Sequence, residues 1–162
     1  MSVNVHIATS STNSASRSRC LWLKFKAKTL LVFGLRAKAH DKFGEFAEHM
    51  LFSKEGLEVA SRLAVSSHHA GHFLQAGLTS VVDAGCGIGG DSLAFAGAGL
   101  HVRALEAQEV TAALAAFNLK PCDTVSVEHA RAEEADLTNA QALWFDPARR
   151  EGTTRLENPE DW

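Results

Sequence analysis

Cysteine is scarce in this sequence, and the positions it takes exclude two architectures. Cys20, Cys86 and Cys122 are an odd, scattered set, which fits neither a disulfide framework nor a zinc cage. Each reads as a small, half-buried hydrophobe in a reducing, cytoplasmic setting. Long apolar runs are missing too: the longest candidate, residues 29–35, falls far short of the roughly 20 residues that span a bilayer. No membrane partner is expected. Acid is absent from the first forty positions, which carry seven bases: Arg17, Arg19, Lys24, Lys26, Lys28, Arg36 and Lys38. All 19 acidic residues therefore fall in residues 41–162, against nine basic ones. So acidic a body excludes nonspecific phosphate binding as its main business, and any nucleic acid must meet a local patch or the N-terminal arm.

What is present is a globular composition, 46% hydrophobic and 22% charged, in a chain of 162 residues, long enough for one domain with a true core. Residues 10–18, SSTNSASRS, are small, polar and unpatterned. Residues 1–35 read as a poorly ordered or atypical start, ahead of an organelle transit peptide, whose amphipathic pattern is weak here. Residues 36–77 read as a helical cap. Phe43, Phe46, Ala47, Met50 and Leu51 fall on one helical stripe, and a second helix is expected from the N-cap Ser53 to Gly77, with Leu57, Ala60, Leu63 and Ala64 inward. From residue 78 to 162, strands and helices alternate. TSVVDAG, LHVRALE, TVSVEH and ALWFDP read as strands; GDSLAFAGAG reads as a helix, as does the tract in which Val110, Ala113, Leu114 and Phe117 form an apolar stripe. This order implies a Rossmann-like, doubly wound α/β parallel sheet. Its fourth strand would stand at an open edge unless the N-terminal segment pairs there, and the chain reads as part of a larger fold.

DAGCGIGGD, residues 83–91, marks the site. Gly85, Gly87 and Gly90 satisfy the G-x-G-x-x-G spacing of a dinucleotide turn, and Gly89 is an extra glycine within it. Four glycines in six residues after a strand exceed what a merely tight turn needs. They would let a ligand lie against backbone N–H groups at a helix start. Glu106 ends the second strand 21 positions after Gly85, where a carboxylate can accept both hydroxyls of an adenosine ribose. Nicotinamide dinucleotides and S-adenosylmethionine both fit these features. Asp83 separates them, because an anion beside the turn suits a cofactor with an ammonium group and opposes one with a pyrophosphate.

With these residues in place, the sequence resembles the class I S-adenosylmethionine-dependent methyltransferases. VVDAGCGIGGD is similar to their first motif, ALE with Glu106 to their second, and FDPARR to their fourth. The tracts KFGEFAEHMLFSKEGLEVASR, TAALAAFNL and DPARR resemble more particularly a bacterial group of methyltransferase-like proteins that carry a THUMP-like domain after the catalytic fold. A more distant likeness is to trimethylguanosine synthases. The resemblance covers about residues 36–162 and implies that residues 78–162 are a partial S-adenosylmethionine-binding domain. It implies that Asp83, Gly85, Cys86, Gly87 and Gly89 line the methionine end of the cofactor, that Glu106 holds the ribose, and that Asp146 and Pro147 serve the acceptor.

Two places depart from that family. Where an acid often accepts from the adenine amino group, this chain has Arg131, which has no acceptor; either Glu133 substitutes or the backbone alone reads the adenine. In the fourth motif, Ala148 and Arg149 follow Asp146 and Pro147, so no aromatic platform stands there and methylation of an exocyclic amine is less favoured. Asp146 is suited to orient an attacking atom or take its proton, and its bland alternative is a turn cap. Arg149, Arg150 and Arg155 could meet phosphates or pair with Glu151 and Glu157. His68 and His72 share a helix face, but no third ligand is obvious and no metal is assigned. The expected activity is S-adenosylmethionine-dependent methyl transfer, with RNA or another nucleotide-containing substrate as acceptor. The rivals are an NAD-binding oxidoreductase and a truncated cofactor-binding domain without catalysis.

Overall fold

A computed structural model of the chain describes residues 34–146, together with the backbone of residues 150–151 and 154–155. Helix α1 covers residues 34–43 and ends at Gly44, whose φ of +57° no right-handed helix continues through. The chain then tightens into a 3-10 turn, Gly44–Glu48, and passes Met50 and Leu51 without helix. The single stripe expected from Phe43 to Leu51 is thereby split. Phe43, Ala47 and Met50 are buried, whereas Phe46 is turned out, 53% exposed.

Ser53 caps α2, Lys54–Val59, and its hydroxyl accepts from the Gly56 N–H at 2.9 Å. The helix expected to run on to Gly77 breaks at Ala60 and resumes as α3, Leu63–Gln75. Lys42 explains the break: its ammonium donates to the carbonyls of Leu57, Glu58 and Ala60 at 2.8, 3.0 and 2.6 Å, satisfying the end of α2. Gly77, at φ +74°, closes α3, with its own N–H and that of Leu78 turned back to the carbonyls of Leu74 and Phe73.

Four parallel strands follow: β1 (Ser80–Ala84), β2 (His101–Glu106), β3 (Val125–His129) and β4 (Leu143–Phe145), in the order β3-β2-β1-β4. Helices α4 (Gly90–Gly97) and α5 (Glu109–Leu119) make the first two crossovers, and the third carries only a 3-10 turn, Ala132–Glu134. The architecture is α/β and Rossmann-like. A short antiparallel pair, β5 (Arg150–Glu151) with β6 (Thr154–Arg155), comes after β4. No helix among the described residues is long and apolar enough to cross a membrane.

One apolar cluster joins alternate residues of the sheet, Val81, Val102, Ala104, Val125, Val127 and Trp144, to Ala70, Phe95, Ala115 and Leu119 of the helices. A second gathers Leu35, Phe43, Met50, Phe52 and Leu57 around Ile88. In α5 the inward face is largely different from the expected stripe, of which Leu114 alone packs inward, against the Ile88 cluster. Ala112, Ala115, Asn118 and Leu119 are buried, while Val110 is 74% and Phe117 50% exposed. Alanines let this helix approach β2 and β3 closely, which the larger side chains would prevent. Both β3 and β4 are edges of the four-stranded sheet, β4 pairing with β1 alone among the described residues.

Candidate functional site

β1 is flanked by β2 on one side and β4 on the other, so the strand order reverses at β1 and a crevice opens beyond the carboxyl ends of β1 and β4. The glycine turn leaves β1 into that crevice, and Asp146 follows β4 at its other wall. Gly85, Gly87 and Gly89 all take positive φ, +89°, +57° and +89°. At Gly89 a second constraint applies: a Cβ there would lie 2.8 Å from Leu119 Cδ1, so neither the backbone nor the space admits a side chain.

The turn's own amides are largely engaged. Gly85 and Cys86 both donate to the Leu105 carbonyl at 2.9 Å, and Gly89 donates to the Cys86 carbonyl at 2.9 Å. Gly87 donates to Glu106 Oε2 at 3.0 Å, while Glu106 Oε1 accepts from the Gln108 N–H at 2.8 Å. A carboxylate is thus fastened to the middle of the turn, with lone pairs left on both oxygens for a ligand's hydroxyls. Cys86 is buried, and burial, with Asp83 and Glu106 nearby, pushes its thiol well above the usual range. Burial thus favours the neutral thiol and suits Cys86 to packing within the turn.

Asp83 is buried in the strand, and its Oδ2 accepts from the Ser92 hydroxyl at 2.6 Å. Burial pushes its pKa up to about 7; the Ser92 hydroxyl opposes the rise and the nearby Asp91 and Asp146 add to it. Asp91, in the first turn of α4, is also raised, by burial first and by the nearby Asp146. Asp91 Oδ1 and the Trp144 indole Nε1 are buried without hydrogen-bond partners among the described residues. Three carboxyl groups, Asp83, Asp91 and Asp146, therefore lie close together, Asp83 buried, Asp91 half-buried and Asp146 exposed, with Glu106 on the turn.

Asp146 is exposed, and Pro147 and Arg149 lie outside the described residues. Arg150 and Arg155 face each other across β5 and β6 by their backbones. Arg131 is exposed and paired to Glu133 at 3.4 Å and Glu134 at 3.8 Å, so the acid considered as a substitute for an adenine contact already holds a guanidinium. At the end of β3, His129 pairs in register with Glu106, and its Nε2 is 3.0 Å from the Ala107 carbonyl. His68 and His72 bring their Nε2 atoms to 3.1 Å, yet no group of three His, Cys, Asp or Glu side chains among the described residues could hold a metal.

Ser92 and Asn118 escaped notice in the sequence. Asn118 had a signal, a carboxamide inside the apolar tract TAALAAFNL. Ser92 had none that distinguishes it from an ordinary helical serine. A cavity of about 580 Å³ opens elsewhere, over the amino ends of β1, β2 and β3, and shares no residue with the turn.

No protein-family model and no curated protein matches the chain. Among solved structures it is similar to the N-terminal domain of EvdMO1 with SAH bound, at 27% identity and a TM-score of 0.40. That match covers 45% of this chain and 33% of the other, so the chain spans about a third of its neighbour's length.

Proposed function

We propose that the crevice binds S-adenosylmethionine and that the chain belongs to a methyl-transferring fold. One observation carries this reading: the glycine turn is lined by carboxyl groups and has most of its amides engaged. A pyrophosphate needs free N–H donors and tolerates no anion beside them. Here Gly85, Cys86 and Gly89 donate to carbonyls, Gly87 donates to Glu106, and Asp83 stands behind them. A cationic ligand meets the opposite conditions. Asp83 would face its ammonium group, Gly85, Cys86, Gly87 and Gly89 would give it room along the backbone, and Glu106 would accept its ribose hydroxyls.

When bound, S-adenosylmethionine would supply an electrophilic methyl group, its sulfonium sulfur keeping the C–S bonding pair and leaving as the thioether S-adenosylhomocysteine. The chain's part is to place the acceptor opposite that group and keep it unprotonated. Asp146, across the crevice from the turn, suits that task, either gripping the acceptor or taking its proton. As acceptor we propose RNA or another nucleotide-containing molecule. The arginines at 149, 150 and 155 support it, and the acidic composition of residues 41–162 limits the contact to that short basic stretch of sequence.

Calorimetric titration of the full chain with S-adenosylhomocysteine and with NAD decides the cofactor. Binding of the first is expected; NAD bound and S-adenosylhomocysteine ignored overturns the reading. For the acceptor, transfer of labelled methyl groups to total RNA is expected to drop about a hundredfold in Asp146→Ala. Unchanged transfer removes Asp146 from its role.

A further inference from the structure

Ile88, inside the glycine turn, buries its side chain away from the turn. It packs among Phe43 of α1, Leu57 of α2, and Met50 and Phe52 of the non-helical stretch between them. Gly56 of α2 lies so close that a Cβ on it would meet Ile88 Cγ2 at 2.6 Å. The Ile88 carbonyl in turn accepts from Asn118 Nδ2 at 2.9 Å. That same amide nitrogen donates to the Leu51 carbonyl at 3.0 Å, and Asn118 Oδ1 accepts from the Leu51 N–H at 2.7 Å. Leu51 belongs to neither helix nor strand, so no ladder serves its backbone, and a buried carboxamide from α5 takes that place.

We propose that Asn118 is a positioning residue for the glycine turn, clamping the Leu51 stretch to the Ile88 carbonyl so that the turn keeps its shape only while the N-terminal helices are docked. Both Nδ2 hydrogens are used, one on each side of the clamp, which no smaller or apolar side chain reproduces. A ligand that holds the turn then holds residues 47–57 as well, though it touches none of them. This is coupling through a shared element. The clamp rests on the proposed cofactor reading only where protection by S-adenosylhomocysteine is measured.

Hydrogen exchange of the full chain tests it, with Asn118→Asp as the variant, which keeps the size and the acceptor but loses both donors. Residues 47–57 and 84–92 are expected to exchange faster together, about tenfold or more, with β2 still protected. Saturating S-adenosylhomocysteine is expected to slow exchange in both segments of the natural chain, and in 84–92 alone in the variant. A merely structural asparagine would not break that linkage. Unchanged exchange in 84–92, or ligand protection that still reaches 47–57, overturns the proposal. Should Asn118→Asp strip protection from β2 too, Gly56→Ala decides. It wedges α2 off Ile88 and crowds the Ser53 cap, undocking the helix, and a loosened 84–92 with intact β2 supports the clamp, while an unchanged 84–92 defeats it. If the natural chain ignores S-adenosylhomocysteine, the cofactor reading fails and the exchange of the apo variants still judges the clamp.

Discussion

The two walls of the crevice are built to different tolerances. On the β1 wall, Asp83, Cys86, Ile88, Gly89 and Gly90 are buried, and contacts from α1, α2, α4 and α5 fix the turn from several sides. On the β4 wall, a three-residue strand pairs with β1 alone among the described residues; Leu143 is half exposed, Phe145 is 59% exposed, and Asp146 is open to solvent. A buried turn held by non-local contacts suits one ligand of fixed shape. An exposed strand end leaves the acceptor side to whatever meets it. Substitutions on the first wall should therefore change folding stability, and those on the second should change turnover with the fold intact.

Asp83 gives the largest expected effect, and its sign is unusual. Its folded pKa, about 7, lies above the ordinary carboxylate value near 3.8, so between those values the folded chain holds a proton that the unfolded chain has lost. Stability from this group is then full below about pH 4, falls as pH rises toward 7, and stays low above it. The span is on the order of 4 kcal/mol. Asp83→Asn removes that dependence. The variant should match the natural chain in urea unfolding near pH 3.5 and exceed it at pH 8, while losing affinity for a cationic cofactor. Parallel stability profiles for the two proteins would show that Asp83 ionises freely.

Gly89→Ala comes next, at about 3 kcal/mol, because it adds backbone strain at φ +89° to an overlap with Leu119. Gly99, with φ +92° and nothing within 4 Å of an added Cβ, isolates the strain alone. Gly99→Ala should cost about 1 kcal/mol. Equal urea midpoints for the two variants would mean that Leu119 yields, and that the turn wall is less constrained than its contacts indicate.

The same contrast explains what the sequence made legible. Strands, α4 and the turn were readable because short-range rules determine them: a buried apolar run, positive-φ glycines, a carboxylate at a strand end. Ser53 was likewise readable as a cap, since a cap acts three residues away. The errors fall where distant groups decide. The split of α2 from α3 depends on Lys42, fifteen to eighteen residues away from the carbonyls it binds. The inward face of α5, which takes only Leu114 from the expected stripe, depends on how closely the helix packs on β2 and β3, because its alanines and its larger apolar residues each make a plausible stripe. Asn118 could be seen as odd, but the 67-residue reach to Leu51 that gives it a purpose could not.

The smallest expected stability effects belong to the β4 wall, and they test the comparison most sharply. Phe145→Ser and Asp146→Ala should each shift the unfolding free energy by no more than about 0.5 kcal/mol, since both side chains are exposed and neither supports the clusters around Phe95 or Ile88. Removing Asp146 also takes a negative charge from beside Asp83 and Asp91, which should ease their ionisation and slightly flatten the pH dependence of stability. Binding of S-adenosylhomocysteine should persist in both variants, while methyl transfer falls in Asp146→Ala. A large loss of stability in Phe145→Ser would mean that its ring is covered in solution. The β4 wall would then be an interface, and the asymmetry between the two walls would belong to the isolated chain alone.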